Sequence, residues 1–111
     1  GRMVGSWQLA GSRHPLTVTL NMSPSQMELR GSCESLGGEY VLSRHILKMV
    51  DPVVVDGPCF NQIDIAANAA FKTFVAESNS PFQVKVDAKQ LTFMSSSGAR
   101  LTFDRVQGQP P

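Results

Sequence analysis

The sequence has little excess charge and no long apolar run, and each shortage excludes a class of protein. Ten Lys and Arg residues against nine Asp and Glu residues leave a net charge of +1 over 111 residues. This balance argues against nucleic acid as the main partner, because binding phosphates requires a concentrated basic face. No stretch approaches the roughly 18 apolar residues that cross a bilayer as a helix, so we expect no transmembrane segment.

Cysteine and histidine are also scarce. The two cysteines are too few for a disulfide scaffold, and His14 and His45 lack the Cys/His spacing of a zinc motif. The sequence contains no G-x-S-x-G elbow, no H-E-x-x-H motif, no phosphate loop and no dinucleotide fingerprint. We therefore predict no catalytic residues, no metal site and no cofactor, and expect a protein that is not an enzyme.

Alternation of apolar and polar residues predicts a chain built mostly of strands. In Leu16-Thr17-Val18-Thr19-Leu20 every second residue is apolar, which is typical of a strand buried on one face. Ser23-Pro24-Ser25 predicts a turn, so residues 16–22 and 26–31 are expected to form a hairpin. The other predicted strands are residues 6–9, 39–42, 46–50, 53–55, 82–86, 91–94 and 100–106. We expect the strand that begins at Ile46 to end before Pro52, since proline lacks the N–H that a strand ladder needs.

One segment changes to the period of a helix. Asn61 is placed to cap its first turn, and Asp64 would lie at the positive end of the helix dipole. The predicted helix ends near Glu77, before Asn79-Ser80-Pro81. The apolar residues that share one face are Ile63, Ala67, Ala70, Phe71 and Phe74. We therefore expect this face to pack on the sheet.

Five or six strands, one helix and then three strands predict an α+β fold. Strands segregated around a single helix are typical of an antiparallel sheet that curls around the helix. The expected architecture is a half-barrel, or cracked β-barrel, of about eight strands with the helix packed across it. We expect one domain over residues 4–106, and a polar, disordered tail over residues 107–111.

Four motifs, in order, resemble the META domain family, which includes HslJ-like bacterial heat-shock proteins and leishmanial META proteins. The motifs are Gly5-Ser6-Trp7-Gln8-Leu9; Gly31-Ser32-Cys33 followed by Gly38-Glu39-Tyr40; Cys59 ahead of the helix; and Leu91-Thr92-Phe93 followed by Gly98-Ala99-Arg100-Leu101-Thr102-Phe103-Asp104-Arg105. The likeness runs from Val4 to Val106. The chain departs from the family at two places. The family usually has Gly-Cys-Asn where this chain has Gly31-Ser32-Cys33-Glu34, and the residues before Cys59 also differ from the family pattern.

The resemblance implies a cracked barrel with a helix across it and no enzyme activity. The fold is similar to a pilot protein of type III secretion whose barrel takes up a lipid tail, and META proteins are linked to secretion, virulence and stress response. A bacterial member would be associated with the envelope, and a leishmanial member would be intracellular, near the secretory pathway. Because this is analogy between folds, it transfers function weakly.

Two sets of residues are candidate sites. Cys33 and Cys59 stand at positions where members of the family often have cysteine. Three states are open to them: a disulfide, two reduced buried thiols, or a metal site. Four phenylalanines either line an apolar cavity or make up the core: Phe71, Phe74, Phe93 and Phe103. The predicted function is binding of a protein or a lipid-like apolar ligand by a monomer. The alternative is a small extracytoplasmic protease inhibitor or an envelope-stabilising protein.

Overall fold

The computed structural model of the protein describes residues 2–12, 17–31, 33–57 and 65–106. Within these residues, eight antiparallel strands form a closed barrel in chain order, and one helix lies between the fifth and sixth strands. The elements are β1 (Gly5–Leu9), β2 (Thr19–Met22), β3 (Gln26–Arg30), β4 (Glu34–Ser43), β5 (Ile46–Asp56), α1 (Ile65–Glu77), β6 (Phe82–Val86), β7 (Gln90–Ser95) and β8 (Arg100–Arg105). The predicted antiparallel barrel of about eight strands with one helix is confirmed, and where the sequence predicts a half-barrel the pairing of β1 with β8 closes it.

Alternating side chains fill the barrel. Val18, Leu20 and Met22 are buried, and Leu20 pairs with the equally buried Leu29 across the β2–β3 hairpin. The turn of this hairpin forms where the sequence predicts it, since the Ser23 N–H donates to the Gln26 carbonyl at 2.8 Å. The period-two pattern therefore identifies the inward residues of these strands.

The closing strand is fixed to the start of the chain by one arginine. The Arg105 guanidinium lies 4.2 Å from the centre of the Trp7 ring and donates hydrogen bonds to the carbonyls of Arg2 and Ala88. Trp7 is fully buried, and its indole N–H donates to the Met3 carbonyl at 3.0 Å. A cation over an aromatic ring and several hydrogen bonds thus hold β1 against β8.

The helix contributes two phenylalanines and an alanine to the core. Ala67, Phe71 and Phe74 of α1 are at most 2% exposed, as the predicted apolar face requires. The ring of Phe71 lies so close to Gly31 that a Cβ built there would be 3.3 Å from Cδ2. A side chain at position 31 would therefore push on the helix. The predicted cap Asn61, like Ile63 and Asp64, lies outside the described residues.

The strand β5 is longer than its sequence predicts, and the predicted end before Pro52 is wrong. The structure accommodates the proline in a β-bulge: Gly37 pairs with Val53 and Glu39 with Val50, so two residues of β5 lie opposite one residue of β4. Asp51, in the bulge, has a φ of 48°. A bulge leaves a residue out of the ladder, so the missing N–H of Pro52 costs no strand hydrogen bond.

The contact between β5 and β6 is the narrowest seam of the barrel. Among the described residues, only Ile46 and Leu47 of β5 pair with β6, whereas nine residues of β5 pair with β4. After Leu47, β5 pairs with β4 alone among the described strands, while the facing stretch of β4 also pairs with β3; we call the β4–β5 pair the β4–β5 ribbon. No helix in the described part of the chain is long and apolar enough to cross a membrane.

Candidate functional site: an apolar surface on β4 and β5

The β4–β5 ribbon exposes a cluster of valines that we call the valine surface. Its members are Val41, Val50, Val53, Val54 and Val55. Val53 and Val55 are 58% and 59% exposed, and Val54 is 39% exposed. Single exposed apolar residues are ordinary on protein surfaces, but a contiguous exposed cluster usually marks a site of interaction.

Strand register explains why these valines are not buried. Val54 pairs with Leu36, whose side chain is buried, so Val54 faces the inner side of the sheet and its neighbours Val53 and Val55 face outward. Yet Val54 itself remains far more exposed than Leu36. Beyond the bulge, therefore, both faces of β5 are open to solvent.

The backbone of β5 is open along the same stretch. The Gly57 N–H donates to the Cys33 carbonyl at 2.7 Å, which makes this a hydrogen-bonded pair of the antiparallel ladder. Since such pairs alternate, Val53 and Val55 bond to β4, while the N–H and C=O groups of Val54 and Asp56 point away from it. No other described strand pairs with this edge. The structure thus offers an unpaired strand edge beside exposed apolar side chains.

Acidic side chains surround the valine surface. Glu34 lies directly opposite Asp56, Glu39 lies opposite Val50, and Asp51 is in the bulge. None of these four acids forms an ion pair with another described residue; the ion pair present joins Arg30 to Glu28 at 3.0 Å. Two like charges facing each other across a strand pair are unfavourable. Lys48, which pairs with Val41, adds one positive charge at this rim, so the acidic side chains outnumber the basic ones there.

The four phenylalanines named as a possible cavity do come together in the core. The Phe74 ring centre lies 5.1 Å from that of Phe93 and 6.4 Å from that of Phe103, both edge-to-face. Phe71 is 2% exposed on the same helix. Five open depressions lie on the described part of the chain, and none of these five is lined by the four rings. The rings pack on one another, and the apolar cavity stays a prediction.

Cys33 lies between β3 and β4, and its side chain is partly buried. Among the described residues there is no free cysteine. Cys59 lies outside those residues, so the pairing of the two cysteines stays a prediction.

Among the described residues, Tyr40 and Asp87 have shifted pKa values, and both make hydrogen bonds within the fold. Burial raises the pKa of the Tyr40 phenol, which donates to the Ser23 carbonyl at 2.6 Å and so ties β4 to the β2–β3 turn. The pKa of Asp87 is lowered because its carboxylate accepts hydrogen bonds from the N–H groups of Lys89 and Gln90, each at 2.8 Å. Neither group lies on the valine surface. The described residues contain no cluster of three His, Cys, Asp or Glu side chains that could hold a metal.

Sequence reasoning identified the core phenylalanines but missed the valine surface. The available signal was the run Val53-Val54-Val55 between Pro52 and Asp56. A run without alternation does not indicate which face is buried, and it is equally typical of a strand covered on both sides.

No protein-family model matches the chain, and no curated protein matches it. Two solved structures are similar in fold. One, determined by NMR, has a TM-score of 0.71 and 18% sequence identity, and the alignment covers 91% of this chain and 88% of that one. The other, an NMR structure of a protein from Burkholderia xenovorans, has a TM-score of 0.62 and 18% identity, with 94% and 79% covered. At this identity the likeness shows the fold alone: a closed eight-stranded antiparallel barrel with one helix.

Proposed function

We propose that the protein is a non-enzymatic binding module whose valine surface binds a partner protein. The observation that carries the proposal is the exposure of Val53 and Val55 beside the open edge of β5. Burying apolar area contributes about 25 cal/mol per Å². A partner that covers this surface would therefore remove an apolar area that the fold leaves exposed to water.

A protein is favoured over a lipid-like ligand inside the barrel. The helix places Phe74 against Phe82, Phe93 and Phe103, at centroid distances from 4.8 to 6.4 Å. Rings packed at those distances leave little room for an acyl chain among them. Native mass spectrometry of protein purified from cells tests the lipid alternative, because a bound lipid would add a discrete mass that organic solvent removes.

The META-domain resemblance extends the proposal. A divergent HslJ-like or leishmanial META-type member would act as a monomer in secretion, virulence or stress response. The alternative role, inhibition of a protease or stabilisation of an envelope, is supported by the packed core but requires an exposed loop to make the contact. The apolar surface found here lies on strands, which favours the binding module.

Site-specific photocrosslinking tests the proposed function. A photoreactive amino acid replaces Val55 in cells that make the protein natively, and a matched control places it at Lys89, an exposed residue distant along the barrel. We expect one protein, identified by mass spectrometry, to crosslink from position 55 and not from position 89. The same protein in purified form should bind the wild type and lose at least about tenfold in affinity for Val53→Ser/Val55→Ser. Equal crosslinking from both positions would contradict the proposal.

A further inference from the structure

Building on the proposed function, we propose that the partner segment is an extended, basic and apolar stretch of chain that adds as a strand to the open edge of β5. Strand addition takes affinity from main-chain hydrogen bonds and specificity from alternate side chains. Three independent features of the described residues specify this mode of binding and this type of segment.

The first feature is the backbone edge. Val54 and Asp56 direct their N–H and C=O groups away from β4, because the flanking residues are the ones bonded to it. An incoming strand can therefore form up to four main-chain hydrogen bonds over three residues. The bulge at Asp51 and Pro52 ends this edge on one side, so the segment that fits is short.

The second feature is that side chains are available on both faces of the edge. Val53 and Val55 are exposed on the outer face, and Val54, opposite Leu36, is exposed on the inner face. Successive side chains of an added strand point to opposite faces. Apolar residues at successive positions of the segment would thus each find a valine beside them.

The third feature is charge. A residue of the added strand opposite Asp56 would also lie near Glu34, which faces Asp56 on β4. A lysine or arginine at that place would compensate two carboxylates that have no ion-pair partner among the described residues. Complementary charge of this kind sets both register and partner choice.

Charge also argues against a second copy of this chain as the occupant. Antiparallel pairing of two β5 edges about Val54 would place Asp56 of each copy opposite Pro52 of the other and beside its Asp51. Asp56 of one copy would then lie near Asp51 of the other at both ends of the pairing, and the like charges would repel each other. Acidic and proline residues that flank an apolar strand are a known device against self-pairing.

Fluorescence anisotropy with a labelled, capped peptide Lys-Val-Val-Val-Lys tests the inference. The matched control peptide is Glu-Val-Val-Val-Glu. We expect the lysine peptide to bind at least about tenfold more tightly than the glutamate peptide, with a difference that shrinks as salt is added. Equal binding of both peptides, or no binding of either, would overturn the inference.

Two variants locate the binding. Val54→Pro removes the N–H that faces the open edge but no hydrogen bond to β4. It should lower the affinity for the lysine peptide at least about tenfold. Leu42→Thr replaces an exposed apolar residue near the far end of β4, outside the valine surface, and should change the affinity for the lysine peptide less than about twofold. If Val54→Pro fails to fold, the Asp56→Lys variant takes its place. It should bind the lysine peptide more weakly and the glutamate peptide more tightly than the wild type does. Unchanged preference in Asp56→Lys would contradict the charge argument.

The outcomes distinguish this inference from the proposed function. If a crosslinked partner binds through Val53 and Val55 yet its affinity is the same for Val54→Pro, the binding module stands and strand addition is wrong. If no partner crosslinks from position 55 and neither peptide binds, both proposals fail. Sedimentation measures whether the wild type forms a dimer. If it does, and if Val54→Pro is a monomer, then a second copy of the chain occupies the edge and the inference is wrong.

Discussion

Phe71 and Phe74 are the side chains through which α1 becomes part of the barrel core. Both are at most 2% exposed, and Phe74 packs against three rings from β6, β7 and β8. Phe71 lies against Gly31 at the end of β3. The helix is thus held between the two halves of the barrel by two residues one turn apart.

Replacing Phe71 with alanine should lower the free energy of unfolding by about 3 to 5 kcal/mol, because it removes a buried ring and leaves a cavity. The matched control is Lys72→Ala, since Lys72 is exposed on the same helix; its expected effect is under about 0.5 kcal/mol. Urea denaturation of both variants measures the two values. Equal small effects would contradict the packing of the helix in the barrel.

Asp87 should give the protein a component of acid sensitivity. The N–H groups of Lys89 and Gln90 stabilise its carboxylate and lower its pKa in the folded state. A lowered folded pKa means that this stabilisation is fully present above the unfolded pKa, near 4, and is lost as the pH falls through the folded pKa. In melting curves from pH 7 to pH 2, the wild type should lose its advantage over Asp87→Asn as the solution becomes acidic. An advantage that stays constant over the whole range would refute this assignment.

At the scale of elements, the bulge in β5 separates the stretch that begins beside β6 from the exposed valine run. Gly38 lies opposite the bulge, and a Cβ built there would be 3.3 Å from the Val50 carbonyl oxygen. The chain can therefore pass the extra residue only where β4 has no side chain. The pairing with β6 ends earlier, at Leu47, so the edge of β5 is unpaired on both sides of the bulge among the described strands.

Amide hydrogen exchange should show the open edge directly. The N–H groups of Val53 and Val55 bond to β4, whereas those of Val54 and Asp56 point to solvent. We expect slow exchange at positions 53 and 55 and fast exchange at 54 and 56, differing by at least about tenfold. Uniform protection along residues 53–56 would mean that the edge is covered in solution.

How far the sequence predicts the structure depends on whether a strand alternates. In β2 and β3, Leu20, Met22 and Leu29 mark the inward face, and the hairpin and its turn follow from the pattern. In β5 the period breaks at Pro52, and a three-valine run follows that fits either face. The bulge depends on Gly38 of the neighbouring strand and not on the local sequence of β5 alone. The ribbon and the valine surface could therefore not be derived from local pattern alone.

At the scale of the whole molecule, a disulfide, one of the three states open to the two cysteines, would tie the chain after β5 to the start of β4. A bridge between Cys33 and Cys59 closes a loop of about 26 residues, and its reduction should lower stability by about 2 to 4 kcal/mol. Thiol counting on the folded, non-reduced protein, followed by mass mapping, tests this. Two reactive thiols after exposure to air, with melting unchanged by reductant, would exclude a structural disulfide.

The proposed partner binds on the outside of the β4–β5 ribbon and not among the rings inside the barrel. Methyl NMR of protein labelled at valine and leucine, titrated with the partner that crosslinking identifies, tests it most directly. We expect the methyl signals of Val53 and Val55 to shift while those of the buried Leu91 and Leu101 stay in place. Shifts at Leu91 and Leu101 with Val53 and Val55 unchanged would place the ligand inside the barrel and contradict the claim.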